Sequence, residues 1–213
     1  MENQNEHLQA ISDIRNMMER SQRFISLSGL SGIFPGIFAL IGAAAGYAYL
    51  GLEFSSAPYW EAARDTMGNI NIGFYKFFIT DALLVLFFSL LFAFYFTWRK
   101  AKKKGQNIFD GTAKRLMINL LIPLIAGGAF CLLLLFHGIV YLVAPCTLLF
   151  YGLALLNASK YTLDEIRYLG VSEIILGLLA SYFIGYGLVA WAIGFGLLHI
   201  IYGAVMWNKY ERN

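Results

Sequence analysis

Residues 116–159 read LMINLLIPLIAGGAFCLLLLFHGIVYLVAPCTLLFYGLALLNAS and contain no Asp, Glu, Lys or Arg. This stretch of 44 residues decides the fold class, because about 20 mostly apolar residues are enough for one helix to cross a membrane. Its length fits two spans, and His137-Gly138 divides it near the middle. Apolar runs elsewhere, such as LLVLFF at 83–88, lack the alternation of membrane barrel strands. The sequence therefore predicts membrane-spanning helices.

The composition of the whole chain agrees with this prediction. Of 213 residues, 59% are hydrophobic and 14% are charged, whereas a soluble domain has about 45–50% and about 25%. The mean hydropathy is +0.62. One core in a domain of this size cannot hide such an excess. The composition argues against a soluble enzyme, a disordered chain, a secreted disulfide scaffold and a soluble nucleic-acid binder.

The spacing of the charged residues extends the count of spans. Residues 24–52 and 82–98 carry no charge, and residues 168–208 carry one acid, Glu173. The last stretch fits two spans divided at 185–187, GYG. The sequence predicts an all-α polytopic membrane helix bundle of six transmembrane helices in three hairpins. The predicted spans are 29–51, 77–98, 116–136, 138–157, 167–185 and 188–208.

The distribution of Lys and Arg predicts the orientation in the membrane. If the N-terminus is cytoplasmic, 14 of the 16 basic residues fall on the cytoplasmic side, where Lys and Arg are normally enriched. This predicts an N-in, C-in topology. The basic run RKAKKK at 99–104 is explained as a topology determinant that touches anionic headgroups. The net charge of +3 therefore requires no nucleic-acid partner.

The first 23 residues are polar and do not resemble a cleaved signal peptide. Leu8, Ile11, Ile14 and Met18 recur at helical spacing, which predicts an amphipathic helix on the cytoplasmic leaflet. An alternative is that this helix docks a second copy or a membrane partner. The predicted domains are thus residues 1–23, a transmembrane domain at 24–208 and a cytoplasmic tail at 209–213.

The first and fifth spans share the pattern GxSxIxxGxxA, at 29–39 and 170–180. Small residues at such spacing allow helix backbones to approach closely in lipid. The pattern indicates an internal repeat, although the third span lacks it. It also predicts helix-packing positions at Gly29, Gly32, Gly36, Gly170 and Gly177.

The phrase GFGLLHIIYG at 194–203, the three short hairpins and the glycine-containing first helix resemble the HdeD-like bacterial inner-membrane proteins. More generally, the chain resembles uncharacterised six-helix bacterial membrane proteins of about this length. The resemblance covers the architecture of most of the chain and few specific residues. It implies a protein of the bacterial inner membrane with a link to stress or acid resistance, and it carries over no catalytic residue.

Ionisable groups inside a span are costly and are candidates for function. Glu173 and His199 lie 13 residues before and after Tyr186, which is at the turn between the fifth and sixth spans. Equal offsets predict equal depth in an antiparallel hairpin. The two side chains are predicted to form a proton relay or cation site if they face each other, or a structural hydrogen bond. Glu173 reaching toward the cytoplasmic interface is a third alternative.

Asp81 is the third candidate, near the outer start of the second span. It is predicted to accept protons from outside, to pair with Lys76 or Arg64, or to cap the start of the helix. Cys131 and Cys146 fall inside spans without metal-ligand spacing, so they are interpreted as small buried hydrophobic residues. The sequence predicts no metal site and no cofactor.

Two function classes remain. The first is a non-enzymatic membrane module with a sensing, scaffolding or envelope-supporting role, which the scarcity of intramembrane charges favours. The alternative is a small transporter or channel-like protein for protons or a small solute, which would use Asp81, Glu173 and His199. A lipid enzyme is disfavoured because no catalytic motif is present.

Overall fold

The computed structural model describes residues 24, 27–51, 59–103, 105 and 110–212. The described chain forms six helices: α1 (Leu30–Leu50), α2 (Ile72–Lys103), α3 (Gly111–Phe136), α4 (Val143–Ala158), α5 (Asp164–Tyr182) and α6 (Gly187–Tyr210). Single 3₁₀ turns extend α4 at both ends, at Val140–Leu142 and Ser159–Tyr161. Helix α6 contains a π-helical turn at Ala192–Leu198. The amphipathic helix predicted over 1–23 lies outside the described residues.

The predicted all-helical class is confirmed, since the described residues form helices and no strand. Each predicted span overlaps one helix. Five helices are long and apolar enough to cross a membrane, namely α1, α2, α3, α4 with its flanking turns, and α6. Helix α5 is the exception, because its 19 residues include Asp164, Glu165, Arg167 and Glu173.

Helices α2 and α3 each begin five residues before their predicted spans, because charge spacing locates apolar sequence and not the ends of helices. Helix α2 starts at Ile72 instead of 77, where the Asn71 side chain accepts a hydrogen bond from the Phe74 N–H at 3.2 Å. Helix α3 starts at Gly111 instead of 116, and Asp110 caps it by accepting from the Ala113 N–H at 2.6 Å. Such caps satisfy free backbone donors.

The two ends of the bundle differ in chemistry. At one end, which we call the polar end, Glu211 bonds to Ser28 and pairs with Lys100, and Glu165 pairs with Lys209. The other, the aromatic end, holds a cluster of buried residues: Tyr59, Ala63, Phe74 and Val140. Because Ser28 and Glu211 meet, both ends of the described chain lie at the polar end.

Glycines set the closest helix contacts. Helix α5 packs on α4, where a Cβ at Gly170 would lie 2.8 Å from the Gly152 carbonyl oxygen and a Cβ at Gly177 2.9 Å from the Leu149 nitrogen. Helix α1 packs on α6, where Gly29 lies against the Trp207 backbone and a Cβ at Gly32 would lie 3.2 Å from the Gly203 Cα. These separations leave no room for larger side chains.

Gly36, the third glycine of the first span, also lies at a close backbone contact between two helices. A Cβ at Gly36 would lie 2.7 Å from the carbonyl oxygen of Gly196, inside the π turn of α6. The two helices that share the repeated pattern therefore both use it for backbone contact with the second helix of another hairpin. These contacts fix α6 between α1 on one side and α4 and α5 on the other.

Candidate functional site

Glu173 of α5 and His199 of α6 meet inside the bundle. Glu173 Oε1 lies 3.5 Å from His199 Nδ1. Glu173 is fully buried and His199 is 6% exposed. Glu173 is the tenth residue of α5, so it lies about 14 Å along the helix axis from Asp164. The structure thus places these two candidates side by side near the middle of the bundle.

The carboxyl group of Glu173 is unusual because neither of its oxygens has a hydrogen-bond partner among the described residues. The great majority of buried polar side-chain atoms in proteins have such a partner. An unpaired buried carboxylate is strongly unfavourable. The group therefore depends on a proton of its own or on a positive charge on His199.

His199, in contrast, has a partner on each ring nitrogen. Nδ1 lies 3.0 Å from the carbonyl oxygen of Gly194, and Nε2 lies 2.8 Å from the hydroxyl oxygen of Tyr151 in α4. The imidazole also stacks on the rings of Tyr151 and Phe195, with centroids 5.3 and 5.9 Å away. Glu173, His199 and Tyr151 are called the buried triad below.

The π turn of α6 builds this site. It places the carbonyl of Gly194 beside the side chain of His199, five residues later. Such turns occur frequently at functional sites. Gly194 also leaves space for the acid, since a Cβ there would lie 2.5 Å from Glu173 Oε2. The backbone of α6 thus provides a carbonyl acceptor and room for a carboxyl group.

Tyr151 was absent from the sequence-based candidates. It is one of 13 tyrosines and carries no motif. Glu173 and His199 belong to one hairpin, so their depths can be compared by counting from the turn. Tyr151 comes from a different hairpin, and only the packing of α4 against α5 and α6 brings it to His199.

Asp81 does not join the buried triad. It lies nine residues after Ile72, so it cannot cap α2, and the expectation of a capping role is wrong. Asp81 instead faces α1, where a Cβ at Gly42 would lie 3.1 Å from Asp81 Oδ2. The described groups around Glu173 and His199 come from α4, α5 and α6.

A second acidic site at the polar end has the opposite character. Glu165 Oε1 accepts from Lys209 Nζ at 2.7 Å, and its two oxygens lie 3.2 and 3.1 Å from the hydroxyl of Tyr210. Burial alone would raise the pKa of Glu165, but the hydrogen bonds from Lys209 and Tyr210 outweigh it and hold the pKa below its ordinary value. Glu165 is therefore a satisfied carboxylate.

Glu211 is satisfied in a similar way. It accepts from the Gly29 N–H at 2.5 Å and from the Ser28 hydroxyl at 3.0 Å, and it lies 3.3 Å from Lys100 Nζ. The Lys100 ammonium also donates to the Leu27 carbonyl at 2.5 Å. Glu211 thus caps the start of α1 and connects it to the ends of α2 and α6.

Among the residues that the structure describes, no group of three or more His, Cys, Asp and Glu side chains is placed to hold a metal ion. Cys131 and Cys146 are free, buried thiols that pack in one apolar cluster with Leu134. The buried triad consists of three side chains that can each donate or accept a hydrogen bond.

The fold and the site together define an all-helical protein with five helices suited to a membrane and a titratable site buried among its helices. Comparison with known proteins identifies no relative: no family model, no curated protein and no solved structure matches the chain.

Proposed function

We propose that this chain is a non-enzymatic, multi-pass module of the bacterial inner membrane that senses protonation through the buried triad. The observation that carries the proposal is the buried carboxyl group of Glu173, which lies 3.5 Å from His199 and accepts no hydrogen bond on either oxygen from the part of the chain that the structure describes. A group held this way has a protonation state that depends on its neighbours. A change in that state alters a charge in the middle of the bundle.

Charges interact more strongly inside the bundle than in water. Two charges 4 Å apart interact by about 4 kcal/mol at an effective dielectric constant of 20, and by about 1 kcal/mol in water. Protonation of one triad member therefore changes the forces on three helices at once. This is the physical requirement for a sensor, namely a local titration with a global consequence.

The proposed topology is three hairpins that cross the membrane six times, with both termini in the cytoplasm. Helix α5 crosses in spite of its charges, because Glu173 is enclosed by α4 and α6 and the other three charged residues lie in its first turn at the polar end. The polar end then faces the cytoplasm, where residues 99–104 meet anionic headgroups. Association through residues 1–23 with a second copy or a membrane partner stays a prediction, as does the HdeD-like resemblance.

Fluorescence of Trp191 tests the sensing proposal. The Trp191 ring contacts Phe195 at a centroid distance of 5.2 Å, and Phe195 stacks on His199. The other three tryptophans, Trp60, Trp98 and Trp207, are replaced by Phe. In lipid nanodiscs, the emission of Trp191 is expected to change with pH in a single transition, and Glu173→Gln is expected to abolish that transition.

The matched control is Glu61→Gln, which neutralises an exposed carboxyl group at the aromatic end. This variant is expected to keep the transition at the same pH. An emission that does not change between pH 4 and pH 9, or an unchanged transition in Glu173→Gln, would refute the proposal.

Transport of protons or a small solute is the alternative. Titratable groups from three helices in the bundle interior favour it, whereas the separation of Asp81 from the triad removes one group from the predicted path. Vesicles loaded with a pH-sensitive dye and given an imposed pH difference distinguish the two. A sensor is expected to leave the rate of pH equilibration at that of empty vesicles, and a rate that falls in Glu173→Gln would favour transport.

The proposed orientation has its own test. Single cysteines are introduced at Glu61 and at Arg212 in a variant whose two native cysteines are replaced by Ala. A membrane-impermeant thiol reagent added to intact spheroplasts is expected to label position 61 and to label position 212 only after lysis. The reverse pattern would overturn the N-in, C-in topology.

A further inference from the structure

The partners of His199 determine which of its nitrogens exchanges the proton. A backbone carbonyl oxygen can only accept, so the 3.0 Å contact between Gly194 and Nδ1 requires a hydrogen on Nδ1. This requirement holds for the neutral ring and for the imidazolium. The nitrogen that gains and loses a proton is then Nε2, which faces Tyr151 at 2.8 Å.

We propose that Tyr151 is the positioning residue through which His199 takes up and releases its proton, and that Glu173 acts as the counter-charge and not as the proton donor. This inference rests on the proposed sensing function. It assigns different tasks to the two neighbours of the ring. Tyr151 handles the proton at Nε2, and Glu173 stabilises the charge from the Nδ1 side.

The hydroxyl of Tyr151 suits this task because it can both donate and accept. When the ring is neutral, the Tyr151 O–H donates to Nε2. When the ring is protonated, Nε2–H donates to the Tyr151 oxygen, and the Tyr151 O–H no longer donates to the ring. The direction of this one hydrogen bond therefore reports the charge of His199.

The triad lies inside the bundle: Glu173 is fully buried, His199 is 6% exposed and Tyr151 is only partly exposed. Among the described residues, the other elements near the ring place no further titratable group within hydrogen-bond distance of it. Helix α1 presents Gly36 and Leu40 to the π turn, and Tyr202, the next titratable residue of α6, lies 3.4 Å from the Ser172 hydroxyl.

Nitrogen-15 NMR of His199 in lipid bilayers tests the proposal. Of the three histidines, His7 and His137 are replaced by Gln so that the label reports one ring. Between pH 4 and pH 9, Nδ1 is expected to keep the shift of a protonated nitrogen, while Nε2 changes from unprotonated to protonated. The Cζ shift of Tyr151, assigned by difference from Tyr151→Phe, is expected to change at the same midpoint, and the shift of Tyr202 is expected to stay constant.

The outcomes separate the two proposals. If Nδ1 titrates, or if the Tyr151 shift stays constant while Nε2 titrates, the role given to Tyr151 is wrong and proton sensing stands. If neither nitrogen of His199 titrates and the Glu173 carboxyl carbon does not titrate either, the proposed function fails as well. If Tyr151→Phe folds poorly, the nitrogen shifts of His199 in the chain with native Tyr151 still show which ring nitrogen titrates, and titration of Nδ1 would overturn the role given to Tyr151.

Discussion

Two glutamates on one helix have opposite environments. Glu165 and Glu173 lie eight residues apart on α5, which is about 12 Å along the axis, and both face residues of α6. Glu165 receives hydrogen bonds from Lys209 and Tyr210. Glu173 receives none among the described residues, although an ionisable histidine lies 3.5 Å away. The same residue type is thus satisfied at one site and unsatisfied at the other.

The comparison distinguishes a glutamate that stabilises the fold, Glu165, from one whose burial lowers the stability of the fold, Glu173. A satisfied carboxylate near the end of a bundle holds two helices in register. An unsatisfied one in the middle lowers stability, and its environment makes it respond to protonation. The predictions below use the first kind of site as the control for the second.

The largest change in the free energy of unfolding is expected from Gly194→Val. Its Cβ would collide with Glu173 Oε2 and the Leu148 side chain, so the variant is expected to lose about 3 kcal/mol of stability, as in an overpacked core. Unfolding in mixed detergent micelles measures this. Gly128→Val is the matched control, because nothing lies within 4 Å of a Cβ there, and its stability should stay within about 0.5 kcal/mol. Equal losses in both variants would contradict the close contact with Glu173.

The second prediction is a gain of stability instead of a loss. Glu173→Leu replaces a buried, unpaired carboxyl group by an apolar side chain of similar size, and we expect a gain of about 2 kcal/mol together with loss of the pH response. The same unfolding assay at pH 7 measures the gain. Glu165→Leu serves as the control and is expected to lose stability, because Lys209 and Tyr210 lose their acceptor. A loss in Glu173→Leu would mean that the carboxyl is held by a favourable partner.

A smaller loss of stability is expected from Glu211→Ala at the polar end. The variant leaves the Gly29 N–H and the Ser28 hydroxyl without their acceptor, which resembles the removal of a helix cap and is expected to lose about 1 kcal/mol. Hydrogen exchange of the first turn of α1 should rise with it. Unchanged exchange there would show that Glu211 does not hold the start of α1.

The smallest predicted change in stability is one that depends on pH. The folded pKa of Glu165 is lower than its ordinary value, so the ionised form stabilises the fold above about pH 4.3. That contribution is lost as the pH falls through the folded pKa. Glu165→Gln is therefore expected to lower the melting temperature by about 2 °C at pH 7, and this difference is expected to shrink as the pH falls through the folded pKa. A difference that does not shrink on acidification would indicate that the ionisation of Glu165 is not its cause.

Much of the helical architecture followed from the pattern of charges. The predicted breaks at 137–138 and 185–187 coincide with the junctions between α3 and α4 and between α5 and α6, because stretches of about 40 residues with at most one charge exceed one membrane crossing. The equal depth of Glu173 and His199 also followed, since both are counted from one turn. The early starts of α2 and α3 did not follow, because Asn71 and Asp110 cap these helices outside the apolar sequence.

The sequence by itself determined that the chain is helical, that it suits a membrane and that Glu173 and His199 lie at equal depth in one hairpin. These properties depend on hydrophobicity and on counting along one hairpin, and both are local. Only the tertiary structure decided that Tyr151 completes the site, that Asp81 stays apart and that Gly194 supplies the carbonyl for Nδ1. These depend on which faces of separate helices meet, and that is settled by backbone contact at the glycines and by the π turn of α6.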